Sequence, residues 1–227
     1  MQHDSGAFYS ANAQRYSEVT HEYIQSVYSN VSHPGLTGDP AVREKMKELI
    51  PSASRGLDAG CGAGARDVFL YWQDGYDIWG FDSVHENISL AKDLHPEIAD
   101  ILWVGDLSKP IPYPDNYFDF VTCNAVIQHI PSDLVKGMVI PELTRVLKSG
   151  GILQLIFKVG DGIIEVYDKD YEVDRSFQLY NANDIVELLS ALGMNVIEEE
   201  NGKLGGVMYF TDTKPVEHCL IFANKAG

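Results

Sequence analysis

Three carboxylates and a run of glycines make one part of this chain chemically capable. The glycines are Gly60, Gly62 and Gly64 in LDAGCGAGA (57–65), and the carboxylates are Asp58, Asp82 and Asp106. Glycines between a strand and a helix let the backbone turn tightly and approach a ligand at the positive end of that helix. Gly60, Gly62 and Ala65 also satisfy the dinucleotide pattern G-x-G-x-x-G/A. The loop alone therefore leaves two ligands open, a nicotinamide dinucleotide and an adenosyl compound. Asp82, 22 residues after Gly60, can accept hydrogen bonds from ribose hydroxyls, which both ligands offer. Its other reading is a helix N-cap, a role Ser83 suits better.

Asp58 and Asp106 separate the two. Asp58, two residues before the first glycine, would repel a pyrophosphate and suits a ligand carrying positive charge. Asp106 in WVGDL is placed to accept from an adenine amino group, with the Leu107 backbone beside it. Three carboxylates at three successive strand ends line one edge of a sheet, where ligands bind in open α/β folds. A cationic adenosyl compound fits that edge, and a doubly anionic dinucleotide fits it poorly.

The elements that must hold these groups follow from periodicity. Residues 7–30 carry Phe8, Tyr16, Val19, Tyr23, Val27 and Tyr28 at three- and four-residue spacings, which reads as one or two amphipathic helices. A loop (31–40) leads through Pro40 into a helix over about 40–50. Strands are expected at RGLDAG from residue 55, at 76–82, 99–106, 118–124 and 152–159. Helices are expected at 65–73, from near Ser83 to before Pro96, and at 132–148, where Pro141 should interrupt or kink the chain. Gly150-Gly151 should turn the chain into the fifth strand. Nearly continuous apolar strands alternating with helices imply a parallel sheet covered on both faces. After an acidic segment (160–176) and a helix at 182–192 capped by Gly193, three apolar segments follow without a helix between the last two. Close spacing requires antiparallel pairing. The expected fold class is α/β, a doubly wound, Rossmann-like, mostly parallel sheet finished by an antiparallel C-terminal edge, with an N-terminal helical cap. One domain is expected over 1–227, divided into the cap (7–50), a cofactor-binding core (55–159) and a substrate-side segment with antiparallel strands (160–227).

Composition limits the partners. The 227 residues carry 33 acids against 17 Lys+Arg, a net charge of −16, which argues against nucleic acid and against an anionic membrane surface. No run of about 18 apolar residues exists, and MQHDSGAFYS does not read as a secretory signal. Cys61, Cys123 and Cys219 are odd in number and widely spaced, so neither a disulfide framework nor a metal site is expected. Cytoplasmic localisation is the expectation.

These motifs together resemble the class I S-adenosylmethionine-dependent methyltransferases. LDAGCGAG is similar to that family's first motif, WGFD to its second, and GDLSKPIPYPDNYFDFVTCNAVIQHIP to its central stretch. LKSGGILQLIF is similar to its fifth-strand motif, and YSANAQRY (9–16) to the N-terminal helix of small-molecule members. The resemblance covers about residues 7–223. It implies S-adenosyl-L-methionine as cofactor and S-adenosyl-L-homocysteine as product. The loop Gly60–Cys61–Gly62–Gly64, with Asp58, would pass under the methionine part. The Gly60 carbonyl and the backbone near Asn124 would hold its amino group. Asp82 and Ser83 would lie at the ribose, Val84 on an adenine face, and Asp106 and Leu107 at the adenine edge. The activated methyl would point at the space above Asn124, Gln128 and His129.

The implied reaction is in-line displacement at that methyl by an oxygen or nitrogen of a small molecule, from a monomer or homodimer. His129 is the candidate base, because an imidazole with its ordinary pKa of about 6.5 is mostly neutral at pH 7. Its other reading is a wall of the pocket. Tyr9 and Tyr16 read either as a lid or as core. Tyr167, Tyr171, Arg175, Phe177 and Tyr180 read either as a substrate pocket or as core. A cofactor-binding module without catalysis, or a methyltransferase partner subunit, is the alternative function, and a nicotinamide oxidoreductase is a weaker one. Residues 160–200 hold eleven acids and two bases. They form either a solvated acidic surface or an entrance selecting a cationic or amine substrate.

Overall fold

The computed structural model describes residues 5–23, 28–212 and 216–227, with the backbone alone over 20–23. Five parallel strands form the core of the sheet: β1 (Arg55–Ala59), β2 (Asp77–Asp82), β3 (Leu102–Val104), β4 (Phe118–Asn124) and β5 (Leu147–Lys158). They lie in the order β3-β2-β1-β4-β5, and β10 (Glu217–Lys225) continues the sheet antiparallel to β5. The far edge of β10 is shared. Residues 217–221 pair with β9 (Val207–Thr211), and 223–225 pair with β8 (Met194–Val196). The expected parallel sheet with an antiparallel finish is what the chain forms.

Alternation along the strands sends successive residues to opposite faces. Leu153, Leu155 and Phe157 of β5 join one apolar cluster, while Ile152 and Ile156 join the other. The first cluster is covered by α6 (Ile140–Val146), following α5 (Ser132–Leu134), and by α7 (Ala182–Ala191). The second is covered by α2 (Asp39–Leu49), α3 (Arg66–Gln73) and α4 (His85–Leu94). Helix α1 (Ser5–Tyr23) lies against α4 and breaks its regular dihedrals once, at Asn12 (φ −123, ψ 18), where the side chain amide donates to the Phe8 carbonyl at 2.8 Å. The side chains of Tyr23 and Val27, counted in the N-terminal pattern, lie outside the described residues.

Some boundaries differ from those expected. The third strand is shorter than 99–106, because Pro96 opens a 3₁₀ helix over Pro96–Ile101. Asp106 therefore stands two residues beyond the strand end. The helix after Pro131 is interrupted ahead of Pro141, as expected, by a π turn at Val135–Val139 that widens the spiral, and it then continues to Val146. Gly150-Gly151 lies inside β5 rather than before it. There Gly150 takes φ +76 in a bulge, with Leu147 opposite Phe118 but Ile152 opposite Phe120. The acidic segment is a hairpin, β6 (Ile163–Asp168) with β7 (Val173–Gln178), built on a two-residue alternation that charge had masked.

Gly56 sits where β1 meets the buried ring of Phe120, and a Cβ there would lie 2.2 Å from its Cζ. Tyr71 and Tyr76 hold that ring at centroid distances of 5.1 and 5.9 Å. Gly56→Ala should cost about 1–3 kcal/mol in urea denaturation. Gly137→Ala, with nothing within 4 Å, should cost nothing. Equal midpoints for the two variants would contradict this packing.

Candidate active site

The carboxyl ends of β1, β2 and β4 carry the glycine loop, Asp82 and Asn124. Gly60, Gly62 and Gly64 have φ of +92, +67 and +99, a region that favours glycine. The Gly60 and Cys61 amides both donate to the Phe81 carbonyl, at 2.8 and 2.9 Å. Asp82 binds the loop to β2. It accepts from the Gly62 amide at 3.0 Å, the Val84 amide at 2.9 Å and Asn87 Nδ2 at 3.2 Å. Burial pushes its pKa up, and these donors pull it back. Asp82, Ser83, Val84, Asp106 and Leu107 line a cavity of about 150 Å³. Asp106 Oδ1 also takes the Ser108 amide at 2.8 Å.

A second cavity, about 210 Å³, lies beside the first. The two share Tyr9, Tyr16, Gly60, Asn124, Ala125 and His129 as walls. Asp58, Cys61, Gly62 and Gln128 line the second alone. Asp58 is 4% exposed and accepts from Thr122 Oγ1 at 2.8 Å. Burial, then the negative charge of Asp67, pushes its pKa up to about 7. Gln128 Oε1 is buried in the wall and accepts no hydrogen bond among the described residues. A buried carboxylate and an orphaned carbonyl oxygen on one wall fit an ammonium-bearing ligand. The residues present thus suit an adenosyl sulfonium compound with an amino acid tail. No group of three or more His, Cys, Asp or Glu that could hold a metal occurs among the described residues.

The roof joins distant parts of the chain. Arg175 Nη1 donates to Asp168 Oδ2 at 2.9 Å, and both residues are buried. Arg175 Nη2 donates to the Tyr9 hydroxyl. A guanidinium only donates, so the Tyr9 oxygen accepts from it, and His129 Nε2 lies 3.2 Å from the same oxygen. Burial raises the Tyr9 pKa despite Arg175, so the group stays a phenol. The rings of Phe8, Tyr9, Tyr171 and Phe177 surround the guanidinium at 4.5 to 5.4 Å. Tyr9, Tyr16, Tyr171 and Arg175 thus come to the cleft.

Three of the residues singled out from sequence do not: Tyr167, Tyr180 and Gly64. Tyr167 is 55% exposed and lies outside both cavities. Tyr180 is core, and its hydroxyl reaches the Ile127 and Ile130 carbonyls at 3.1 and 2.9 Å, bracing the turn that carries His129. Gly64 belongs to the loop but lies outside both cavities, where a Cβ would meet Ser17 of α1 at 3.4 Å. The acids Glu165, Glu172 and Asp174 are exposed on the outer face of the hairpin, while Arg175 and Phe177 face inward. Sequence reading passed over Lys158 and His218, which also line the larger cavity. A lysine closing the apolar run ILQLIFK was the available signal.

Asp58 gives the ligand-free protein a pH dependence. Its folded pKa near 7 exceeds the ordinary carboxylate value of about 3.9, so the folded state holds the proton more tightly. A destabilising term therefore accrues as pH rises from about 4 to about 7. Relative to wild type, Asp58→Asn should gain stability at pH 8 over pH 5 in urea titrations. Parallel profiles for the two proteins would contradict this.

Comparison with known proteins agrees with the geometry. Residues 57–155 match the methyltransferase domain family. The chain is 27% identical over 158 residues to 2-methyl-6-phytyl-1,4-hydroquinone methyltransferase of Synechocystis sp., covering 62% of this chain and 49% of that protein. It is 30% identical over 140 residues to the tRNA (carboxymethyluridine(34)-5-O)-methyltransferase of Schizosaccharomyces pombe, covering 59% and 56%. The chain thus spans about half the length of these curated relatives. Its fold is similar to that of Burkholderia thailandensis 1,6-didemethyltoxoflavin-N1-methyltransferase, solved with 1,6-didemethyltoxoflavin and S-adenosylhomocysteine. That likeness has a TM-score of 0.66 at 15% identity, covering 100% of this chain and 91% of that one. Residues 57–155, the centre of this sheet, thus match the methyltransferase domain family, and domain, fold and relatives together support a class I S-adenosylmethionine-dependent methyltransferase.

Proposed function

We propose that the protein transfers the methyl group of S-adenosylmethionine to an oxygen or nitrogen of a small molecule by in-line displacement. The observation that carries this is the set of carboxylates Asp58, Asp82 and Asp106 around two cavities with shared walls. The sulfonium supplies an already activated methyl group, so the protein has to align the partners and exclude water. Asp82 takes the ribose hydroxyls, Val84 packs on the adenine, and Asp106 with the Leu107 amide reads its edge. Asp58 and Gln128 hold the ammonium.

His129 is the base in this reading. Its Nε2 lies 3.2 Å from the Tyr9 oxygen, so in the tautomer protonated at Nδ1 the acceptor's proton moves to the Tyr9 oxygen as the Tyr9 proton moves to Nε2. Relatives named for hydroquinone and toxoflavin substrates support a small-molecule acceptor. One relative is named for tRNA, but a net charge of −16 offers no footprint for phosphates. No helix among the described residues is long and apolar enough to cross a membrane, and we place the protein in the cytoplasm.

Calorimetry should show binding of S-adenosylhomocysteine and none of NADH. Asp82→Ala should weaken that binding about tenfold or more, the loss expected when a buried hydrogen-bonding partner is removed. Gly62→Val should weaken it as well, through its positive φ and the Tyr16 ring 3.0 Å from the added Cβ. NADH binding with neither adenosyl compound bound would end the proposal. An ionised Asp58 matches the ammonium, so binding near pH 6.5 should release protons, and Asp58→Asn should not. In a methyl-transfer assay, His129→Ala should lower kcat by about 10²–10⁴-fold and leave the S-adenosylhomocysteine affinity unchanged.

A further inference from the structure

His129 stands on a mount that would be loose if left to itself. It closes a single 3₁₀ turn, Ile127–His129, just past the end of β4. The turn's own bonds run from the His129 amide to the Val126 carbonyl and from the Ile130 amide to the Ile127 carbonyl, both at 3.0 Å. Bonds of this kind have poorer geometry than those of an α-helix, and so short an element has no further turns to support it. Ala125, which leads into it, has φ +57, a region that an alanine rarely adopts. A base must nevertheless stay within hydrogen-bond reach of the proton it takes.

Tyr180 supplies the support from behind. Its hydroxyl lies 3.1 Å from the Ile127 carbonyl oxygen and 2.9 Å from that of Ile130, so one proton is shared by carbonyls on both sides of His129. Burial pushes the pKa of this phenol up, so it keeps that proton. The Tyr180 backbone is fixed in turn. Its amide donates to the Lys158 carbonyl and its carbonyl accepts from the Gly160 amide, both at 3.1 Å, at the end of β5. Its ring meets Phe157 edge-on with centroids 6.2 Å apart. Three residues earlier, the Phe177 ring of β7 meets the His129 imidazole with centroids 5.5 Å apart. The chain leaving the hairpin thus grips both the imidazole and the turn beneath it. Tyr180 lines neither cavity, so it acts on the site only through that turn.

We propose that Tyr180 is a positioning residue for the transfer: by holding the Ile127 and Ile130 carbonyls, its hydroxyl keeps the His129 imidazole against the Tyr9 oxygen. This rests on the methyltransferase reading above, with His129 as base. The Tyr9 oxygen is itself held by Arg175, so the distance between oxygen and imidazole depends on the turn. A misplacement of about 1 Å at reacting groups can slow a reaction about 10²-fold. Tyr180→Phe keeps the ring and its packing and removes only the donor. The loss therefore falls on the two carbonyls, which must find other partners by moving the turn.

The test follows the His129 imidazole by NMR on the full chain, with and without saturating S-adenosylhomocysteine. Its Cε1–H signal is assigned through its loss in His129→Ala. In the wild-type background Tyr9→Phe should move that signal and its titration midpoint. In the Tyr180→Phe background the same change should move them by about half as much or less, because the two rings are no longer held together. Amide exchange at His129 and Ile130 should run about tenfold or more faster in Tyr180→Phe. Exchange in β1 and β4 and the affinity for S-adenosylhomocysteine should equal those of the wild type, which shows that the variant is folded. With catechol and 4-aminophenol as probe acceptors, Tyr180→Phe should slow methyl transfer about tenfold, and not at all when added to His129→Ala. The proposal is overturned if Tyr9→Phe moves the imidazole equally in both backgrounds or in neither. It is also overturned if exchange rises as much in β1 and β4 as in the turn, or if Tyr180→Phe slows transfer equally with and without His129. Absence of S-adenosylhomocysteine binding in every protein would sink the methyltransferase reading, and the imidazole signals would still decide the brace. Intact binding with an unmoved imidazole would sink the brace alone.

Discussion

The Arg175 guanidinium is the constraint on which the site depends. It is a buried cation held between Asp168 of its own hairpin and the Tyr9 hydroxyl of the N-terminal helix. A buried pair adds little net stability, because desolvation offsets attraction, but breaking one partner away costs about 3–5 kcal/mol. The pair therefore serves to fix geometry. Through Tyr9 it reaches His129 Nε2, and through Phe177 the aromatic wall. Without it the cofactor half of the cleft, made by strand ends and the glycine loop, would remain. The acceptor half would have no roof.

The two halves differ in origin, which explains how much of each was legible in the sequence. The strands at 55–59, 77–82 and 118–124 announce themselves as apolar runs, because a parallel sheet buries both faces. The glycines, Asp58 and Asp82 stand at the ends of the first two of these runs, and Asp106 stands two residues past β3, so local sequence places them. The acceptor half is assembled from residues far apart in the chain. Nothing local tells that Tyr9 meets Arg175, which depends on how α1 meets the hairpin, or that Lys158 and His218 share a wall, which depends on how β10 enters the sheet. Tyr167 and Tyr180 show the same limit. They flank the residues that do reach the cleft, yet one lies on the outer face of the hairpin and the other in the core.

Charge is harder to read for a related reason. The acids of residues 160–200 read either as a solvated surface or as a cation-selecting entrance, and a strand has two faces. On β7, Asp174 is exposed while its neighbour Arg175 is buried against the cavity. A segment's net charge describes its solvent side. The inner side, two residues apart in period, holds Arg175 paired with the buried Asp168.

The Tyr9–Arg175 bond joins positions 166 apart in sequence. Such a contact carries a high entropic cost of loop closure and no support from neighbours along the chain. The sheet beneath is held by continuous ladders between adjacent strands. Opening is therefore graded across the molecule. The aromatic roof can detach as a local unit at a free energy well below that of global unfolding, while the cofactor floor stays intact. Amide exchange in residues 5–12 and 163–178 would then run ahead of exchange in β1 and β4.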